Sequence, residues 1–256
     1  MPQYNKSVLD YWGNIFCNCH AIFRDDTFAI STNQNLQPTR QLQILELADG
    51  QVRAAVTAEL ANSLQLGQTR DWSITRFRQH LVDHGVSLHG ADFVFYQSSV
   101  SEQGDPAVTF PSIRQLLDTD RDAFTRFEAE ASPQDLDDAY VELGHWAVFG
   151  AFDDDRLICA ASMYPWNDAP LADLGVLTLP EFRGKGYAQA VVRAISVYAR
   201  AQGYEPQYRC QTDHEASIKL ARASGFHLFG TWEVISSEAA APSEPELTKV
   251  QQVAQR

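Results

Sequence analysis

Two glycines in the segment FRGKGYA, residues 182–188, could let the main chain approach an anion closely. The segment follows an apolar run and opens a long amphipathic stretch, so a strand should pass into a helix here. Glycine adopts backbone angles that other residues avoid, and the first amides of a helix point towards bound anions. The segment therefore favours a phosphate or diphosphate ligand, to which Arg183 and Lys185 could add positive charge.

Two common phosphate-binding patterns do not fit this segment. The dinucleotide pattern G-x-G-x-x-G, begun at Gly184 and Gly186, would require a third glycine where the sequence has Gln189. The P-loop pattern G-x-x-x-x-G-K-(S/T) requires lysine after its last glycine, whereas Lys185 precedes Gly186. Both kinds of nucleotide site are therefore excluded at these residues.

The remaining pattern is Arg183, Gly186 and Ala188 in the spacing (Q/R)-x-x-G-x-(G/A). This spacing resembles the cofactor-binding motif of the GNAT acyltransferase superfamily. A second element, HEASIKLARASGF at residues 214–226, is similar to the N-x-x-S-x-x-L-Y-x-x-x-G-F element of the same superfamily, in the same order and at the same distance. The resemblance extends over roughly residues 112–234.

The resemblance implies acetyl-CoA as the acyl donor and no metal. The diphosphate would bind main-chain amides of the glycine-containing loop. The apolar strand ADLGVLTL would splay from the strand PQYRCQ, and amides near Leu177 and Thr178 would polarise the thioester carbonyl. The residues that the resemblance assigns to the cofactor are Leu177, Thr178, Leu179, Arg183, Gly184, Lys185, Gly186, Tyr187, Ala188, His214 and Ser217.

The implied reaction is direct attack of an acceptor amine on the thioester in a ternary complex. An alkyl ammonium has a pKa of about 10, so a base is needed. Asp173, on the strand before the cofactor motif, is the first candidate, and a solvated carboxylate on a strand face is its alternative role. Glu142, at the expected end of a helix near the acceptor cleft, is a weaker candidate that could equally lie on a solvated helix face.

The residues that could protonate the leaving thiolate depart from the family pattern. Ala221 stands where many members carry a tyrosine that serves as the acid, and His214 stands where asparagine is usual. His214 or Ser217 could supply the proton, although Ser217 could instead cap or face its helix. Because the acid is in doubt, two functions remain open. One is an N-acetyltransferase that acts on an amine, and the other is a non-catalytic CoA-binding regulatory module.

The elements that must position these residues follow a regular order in the second part of the chain. Strand, two helices, three strands, helix, strand, helix and strand are expected between Ser112 and Val234, which is the order of the superfamily. The predicted class is therefore α/β (α+β), with a mixed, mostly antiparallel twisted sheet flanked by helices and a GNAT-like acyl-CoA N-acyltransferase fold. An amino-terminal α/β domain is expected to precede it.

The predicted domain boundary falls at the polar segment SSVSEQGDPA, residues 98–107. It divides an amino-terminal α/β domain of unknown role, 1–105, from a GNAT acetyltransferase domain, 106–235, and a flexible tail, 236–256. In the first domain, LQILEL should be a strand, and QVRAAVTAELANSLQL, residues 51–66, has helical spacing. This domain could cover the acceptor site, be a degenerate copy of the acyltransferase fold, or form a dimer.

Composition limits the partners. A formal net charge of -13 disfavours nucleic acid and anionic lipid and suits a cationic acceptor, which could be a small-molecule or peptide amine. The sequence has no apolar run of about 18 residues and no signal peptide at its start, so the cytoplasm is the expected compartment and no membrane partner is expected. All four cysteines should be free thiols, and Cys17-Asn-Cys19-His20 lacks the second ligand pair of a zinc site. The chain could form a homodimer.

Overall fold

A mixed sheet forms the centre of the computed structural model, which describes residues 2–16, 20–98 and 113–235. The strands in these ranges are β1 (His20–Arg24), β2 (Phe28–Thr32), β3 (Leu42–Leu47), β4 (Val52–Val56), β5 (Asp92–Gln97), β6 (Ile113–Gln115), β7 (Ala147–Asp153), β8 (Arg156–Pro165), β9 (Leu171–Thr178), β10 (Glu205–Gln211) and β11 (Phe226–Val234). The helices there are α1 (Lys6–Phe16), α2 (Ala58–Ser63), α3 (Ile74–Asp83), α4 (Arg121–Glu130), α5 (Pro133–Ala139), α6 (Tyr187–Ala201) and α7 (Glu215–Ala223).

The strands follow the spatial order β1-β2-β4-β3-β11-β5-β10-β9-β8-β7-β6. Among the described strands, β2 pairs with β4 and β9 with β10 in parallel, and the other neighbours are antiparallel. Helices α4 and α6 both contact β8, whose central residues are buried throughout. The predicted class, a mostly antiparallel mixed sheet flanked by helices, is confirmed.

Strand β5 lies in the middle of the sheet, although it comes from the amino-terminal part of the chain. Tyr96 of β5 pairs with Gln207 of β10 on one side and with His227 of β11 on the other. The boundary predicted at residue 105 and the predicted tail, 236–256, lie outside the described residues. Strands from both predicted domains, β1 to β5 and β6 to β11, belong to one sheet.

The prediction of helical spacing throughout residues 51–66 is wrong at its start. Residues Val52–Val56 form β4, and the helix begins only at Ala58, after Thr57 caps it by accepting a hydrogen bond from the Leu60 amide. The sequence VRAAV is buried between β2 and β3, and valine suits a strand that is covered on both faces. Sheet pairing has therefore outweighed the helical propensity of the two alanines.

The long helix α6 is anchored by apolar side chains. Val191, Val192, Ile195 and Ala199 are buried, and they fix the helix so that its first turn holds the predicted glycine loop in place. No helix in the described part of the chain combines the length and hydrophobicity that crossing a bilayer requires.

Candidate active site

The predicted anion loop connects β9 to α6 as the sequence indicated. Gly184 has φ = 74° and Gly186 has φ = 88°, backbone angles that favour glycine. Gly186 precedes the first residue of α6, and a Cβ added at Gly184 would meet no atom within 4 Å. The two glycines therefore lead the chain into the first turn of a long helix at the position predicted for a diphosphate.

The side chains of this loop hold its shape. The Arg183 Nε donates to the Thr178 carbonyl at 3.0 Å, and its guanidinium pairs with Asp135 of α5 at 2.9 Å. Lys185 Nζ lies 4.9 Å from the centre of the Phe182 ring. Because Arg183 already has a carboxylate partner, its charge mainly ties the loop to β9 and α5, and the main-chain amides are the better anion donors.

Strands β9 and β10 separate part-way along their length. They pair in parallel as far as Leu174 and Tyr208, whereas β10 continues to pair with β5 as far as Gln211. The remaining part of β9, residues 175–178, pairs only with β8 in the described chain. A split therefore opens between the two strands and leads towards the glycine loop, as the sequence predicted.

The register of β8 and β9 shows which amides face this split. The Trp166 amide donates to the Leu171 carbonyl at one end of the pair, and the Leu179 amide donates to the Ile158 carbonyl at the other. Because backbone groups alternate sides along a strand, the amide of Leu177 is directed to β8, and those of Val176 and Thr178 are directed to the split. Leu177 therefore contributes packing, and Val176 replaces it as an amide donor.

Asp173 lies in a buried network of hydrogen bonds and an ion pair. Its two carboxylate oxygens accept from Tyr164 at 3.0 Å, from Gln207 at 2.7 Å, and from the Arg209 guanidinium at 3.0 Å and 2.7 Å. Asp92 also pairs with Arg209, at 3.1 Å. The predicted alternative of a solvated carboxylate does not describe this site. With both oxygens bonded to donors, Asp173 is suited to fixing Arg209 and Tyr164 rather than to taking up a proton.

The charges in this network favour the ionised forms of Arg209 and Asp173. Although burial works against the charge of Arg209, the carboxylates of Asp173 and Asp92 raise the pKa of its guanidinium above the ordinary value. Burial is also the main reason why the pKa of Tyr164 is raised, with the Asp173 carboxylate adding to the effect. The phenol of Tyr164 therefore stays protonated and donates a hydrogen bond to Asp173.

Helix α5 approaches the point where the split begins. A Cβ on Gly175 would lie 2.1 Å from the Ala139 carbonyl oxygen, so only glycine permits this contact. The helix ends at Ala139, and Tyr140 has φ = 47°. Glu142 was predicted to end this helix, but it lies in the loop that follows, because the left-handed residue turns the chain away.

That loop carries a histidine that the sequence analysis missed. The Nδ1 of His145 lies 2.8 Å from the hydroxyl of Ser162, which is fully buried on β8, and its Nε2 lies 3.6 Å from the Glu142 Oε2. Ser162 pairs with Gly175 across the strands, so His145 lies beside the first residue of the split. The Glu142 side chain is 57% exposed and reaches the same place from the solvent.

The surroundings of His145 favour its neutral form. Burial lowers the pKa of its imidazole below the ordinary value, and the Glu142 carboxylate opposes this change only in part. The rings of Tyr140 and Tyr164 lie with their centres 5.0 Å from the imidazole. In the tautomer that carries its proton on Nδ1, the neutral imidazole donates to the Ser162 hydroxyl and leaves a lone pair at Nε2, which is what a general base requires.

The second predicted element, on α7, contributes fewer groups than expected. His214 is exposed and makes no side-chain cap of the helix, whereas Ser217 lies 2.8 Å from the hydroxyl of Tyr208 on β10. Burial raises the pKa of Tyr208, and it raises the pKa of the Cys210 thiol to about 11. Ala221 is fully buried in the core. Ser217 of α7 and Tyr208 of β10 are therefore the hydroxyl groups that meet beside the split.

The described residues contain no group of three or more side chains placed to hold a metal ion. Cys159 and Cys210 are free thiols, whereas Cys17 and Cys19 lie outside the described residues.

Residues 112–226 match the sequence model of the Acetyltransferase (GNAT) family. This part of the chain belongs to the GNAT acetyltransferase family. The match contains the glycine loop, the split between β9 and β10, and α7. The superfamily predicted from Arg183, Gly186 and the second element is therefore confirmed, and GNAT members are acyltransferases that use acetyl-CoA. A search of curated proteins finds no match.

Several solved structures are similar to this chain. A protein assigned to the GNAT family from Novosphingobium aromaticivorans has 22% identity and a TM-score of 0.45 over 59% of this chain and 66% of its own. A GNAT-family acetyltransferase from Colwellia psychrerythraea has 18% identity and a TM-score of 0.47, and the match covers 62% of this chain and 60% of that protein. A GCN5-related N-acetyltransferase from Sphaerobacter thermophilus has 13% identity and a TM-score of 0.46 over 84% and 74%. The chain thus spans slightly less than two thirds of the length of the Novosphingobium protein and of the Colwellia protein.

Proposed function

We propose that the protein transfers an acetyl group from acetyl-CoA to an amine by direct attack in a ternary complex. The observation that supports this most strongly is the split between β9 and β10, which runs from the glycine loop to His145. The loop amides would bind the diphosphate, and the pantetheine arm would lie along β9. The amides of Val176 and Thr178, partly exposed on β9, would stabilise the negative charge that develops on the thioester oxygen.

His145 acts in this proposal as the general base. The Glu142 carboxylate attracts the cationic acceptor, and His145 Nε2 takes a proton from its ammonium group. The free amine that results then attacks the carbonyl carbon with its lone pair. Ser162 fixes the ring, because its buried hydroxyl contacts Nδ1. Asp173, the first candidate from the sequence, takes the role of holding Arg209 and Tyr164 in place, and His214 takes no proton-transfer role.

The leaving thiolate takes its proton from the pair of Ser217 and Tyr208. Tyr208 is the last β10 residue that pairs with β9, and its hydroxyl contacts Ser217 of α7. This pair supplies the function that Ala221 cannot. General acid catalysis contributes about 10²–10⁴-fold, and a thiol with a pKa of about 8.5 also leaves without it.

Replacing Gly186 by glutamate tests the anion loop. We expect the affinity for CoA, measured by calorimetry, to fall about a hundredfold, because a carboxylate faces the diphosphate and a non-glycine residue at φ = 88° is strained. Gly203→Glu is the matched control, since Gly203 has φ = 85° at the other end of α6. It should lose stability and keep its affinity for CoA. Equal affinities in wild type and Gly186→Glu would contradict the proposed cofactor site.

The buried Ala221 supports a second candidate, a non-catalytic CoA-binding regulatory module. That candidate predicts CoA binding without thiol release from acetyl-CoA for every amine in a panel. Steady-state thiol release with any amine, at a rate above that of buffer, would decide for the transferase.

A further inference from the structure

An arginine from the amino-terminal part of the chain lies against the carboxy-terminal part. Arg40 ends a short 3-10 turn, Pro38–Arg40, just before β3. Its guanidinium carbon lies 4.9 Å from the centre of the Trp166 ring and 5.2 Å from that of Trp232. We propose that Arg40 binds a carboxylate of the acceptor, so that the acceptor is an amine with a carboxylate several bonds away. This inference rests on the proposed function.

The charges around these rings leave Arg40 without an anion. The Arg209 guanidinium lies over the same rings, at 4.4 Å and 5.7 Å, but the carboxylates of Asp173 and Asp92 match its charge. In the described ranges, no carboxylate oxygen lies within ion-pair distance of Arg40. Its polar contact is the Asn167 amide, whose oxygen lies 2.9 Å from Arg40 Nη1 in the orientation that satisfies its neighbours.

A carboxylate would relieve an unfavourable state of this guanidinium. Burial is the first cause that lowers the pKa of Arg40, and the nearby charge of Arg209 adds to it, whereas Tyr11, Tyr164 and Asp173 oppose the change only in part. Arg40 nevertheless remains partly exposed, and Asn167 beside it is exposed, so a ligand can reach the guanidinium from solvent. A planar guanidinium held over aromatic rings is preorganised to bind a carboxylate with two hydrogen bonds.

A continuous row of rings leads from Arg40 to the proposed base. The Trp166 and Tyr164 rings are 6.3 Å apart, and the Tyr164 and His145 rings are 5.0 Å apart. An amine at His145 and a carboxylate at Arg40 are therefore much further apart than the two groups of an α-amino acid. The Tyr164 ring, partly exposed between them, suits a methylene chain. The acceptor that fits this arrangement is an ω-amino carboxylate.

The test compares ω-amino carboxylates with their uncharged carboxamides. Wild type should acetylate δ-aminovalerate and ε-aminocaproate with a lower KM than the corresponding carboxamides. Arg40→Gln should raise KM for the carboxylates about ten- to hundredfold, the loss that follows from breaking a charge-assisted pair, and leave KM for the carboxamides unchanged. Arg40→Lys should recover part of the difference because it keeps the charge.

Arg24→Gln is the matched control, because Arg24 is exposed on β1 at the edge of the sheet and its loss changes the net charge equally. It should leave both KM values unchanged. Equal KM values for carboxylate and carboxamide in wild type, or an equal rise of both in Arg40→Gln, would overturn the carboxylate site while leaving the transferase intact.

Absence of transfer to every amine would count against the proposed function instead. In that case calorimetry with N-acetyl-δ-aminovalerate tests Arg40 alone. Weaker binding to Arg40→Gln than to wild type supports the site, and equal or undetectable binding to both rules it out.

Discussion

Replacing His145 by glutamine should lower kcat for acetyl transfer about 10²–10⁴-fold, because the reaction loses its general base. Glutamine can keep a hydrogen bond to Ser162, so the fold and the affinity for CoA should change little. The measurement is steady-state thiol release at saturating acetyl-CoA and acceptor. His227→Gln is the matched control, since His227 is exposed on β11, and its kcat should equal that of wild type.

The pH dependence separates a base from a structural residue. Burial lowers the pKa of His145 from 6.5, so the neutral form persists to lower pH than in a free histidine. Wild-type kcat should therefore stay high as the pH falls through 6.5 and drop only below the lowered pKa. This fall of kcat at low pH, the acidic limb of the pH profile, should be missing from the profile of His145→Gln. An unchanged limb in the variant, or an unchanged kcat, would show that another group takes the proton.

Replacing Asp173 by asparagine should destabilise the protein by about 3–5 kcal/mol, since the substitution breaks a buried ion pair and leaves the charge of Arg209 only partly compensated. Asp173 is 5% exposed, so solvent cannot replace the lost interaction. The measurement is the free energy of unfolding from denaturant titration, together with kcat of the folded variant.

Asp118→Asn is the control for this change, because Asp118 forms an ion pair with Arg121 in which both side chains are well exposed. It should cost less than about 1 kcal/mol. A stable Asp173→Asn variant with kcat reduced to the level of His145→Gln would instead support Asp173 as the base.

The sequence predicted the features that short local patterns encode. Gly184, Gly186 and the first turn of α6 are neighbours in the chain, so their spacing alone is enough to predict the anion loop. The order of elements from β6 to β11 was likewise visible in hydrophobic periodicity. Within β4, two alanines suit both helix and strand, and only the neighbours β2 and β3 decide between them.

Contacts made by strand register could not be predicted in this way. Ser162 lies 17 positions from His145, and Arg209 lies 36 positions from Asp173. No periodicity relates such pairs, because the pairing of β7 with β8 and of β9 with β10 brings them together. A histidine two residues before a buried strand offers only a weak signal of a catalytic role, since histidines with a purely structural role occur there as well. Arg40 depends on a still longer contact, between opposite ends of the chain.

The central position of β5 has a consequence for how the chain matures on the ribosome. Tyr96 leaves the exit tunnel 111 residues before Gln207, its partner on β10, and β11 emerges later still. At ordinary translation speeds this is a delay of roughly 5 to 20 seconds. During that time the nascent chain carries an apolar strand, DFVFYQ, with neither of its neighbours yet made. An unpaired apolar strand is a point at which aggregation can begin, so the chain is most exposed to this hazard until translation is almost complete.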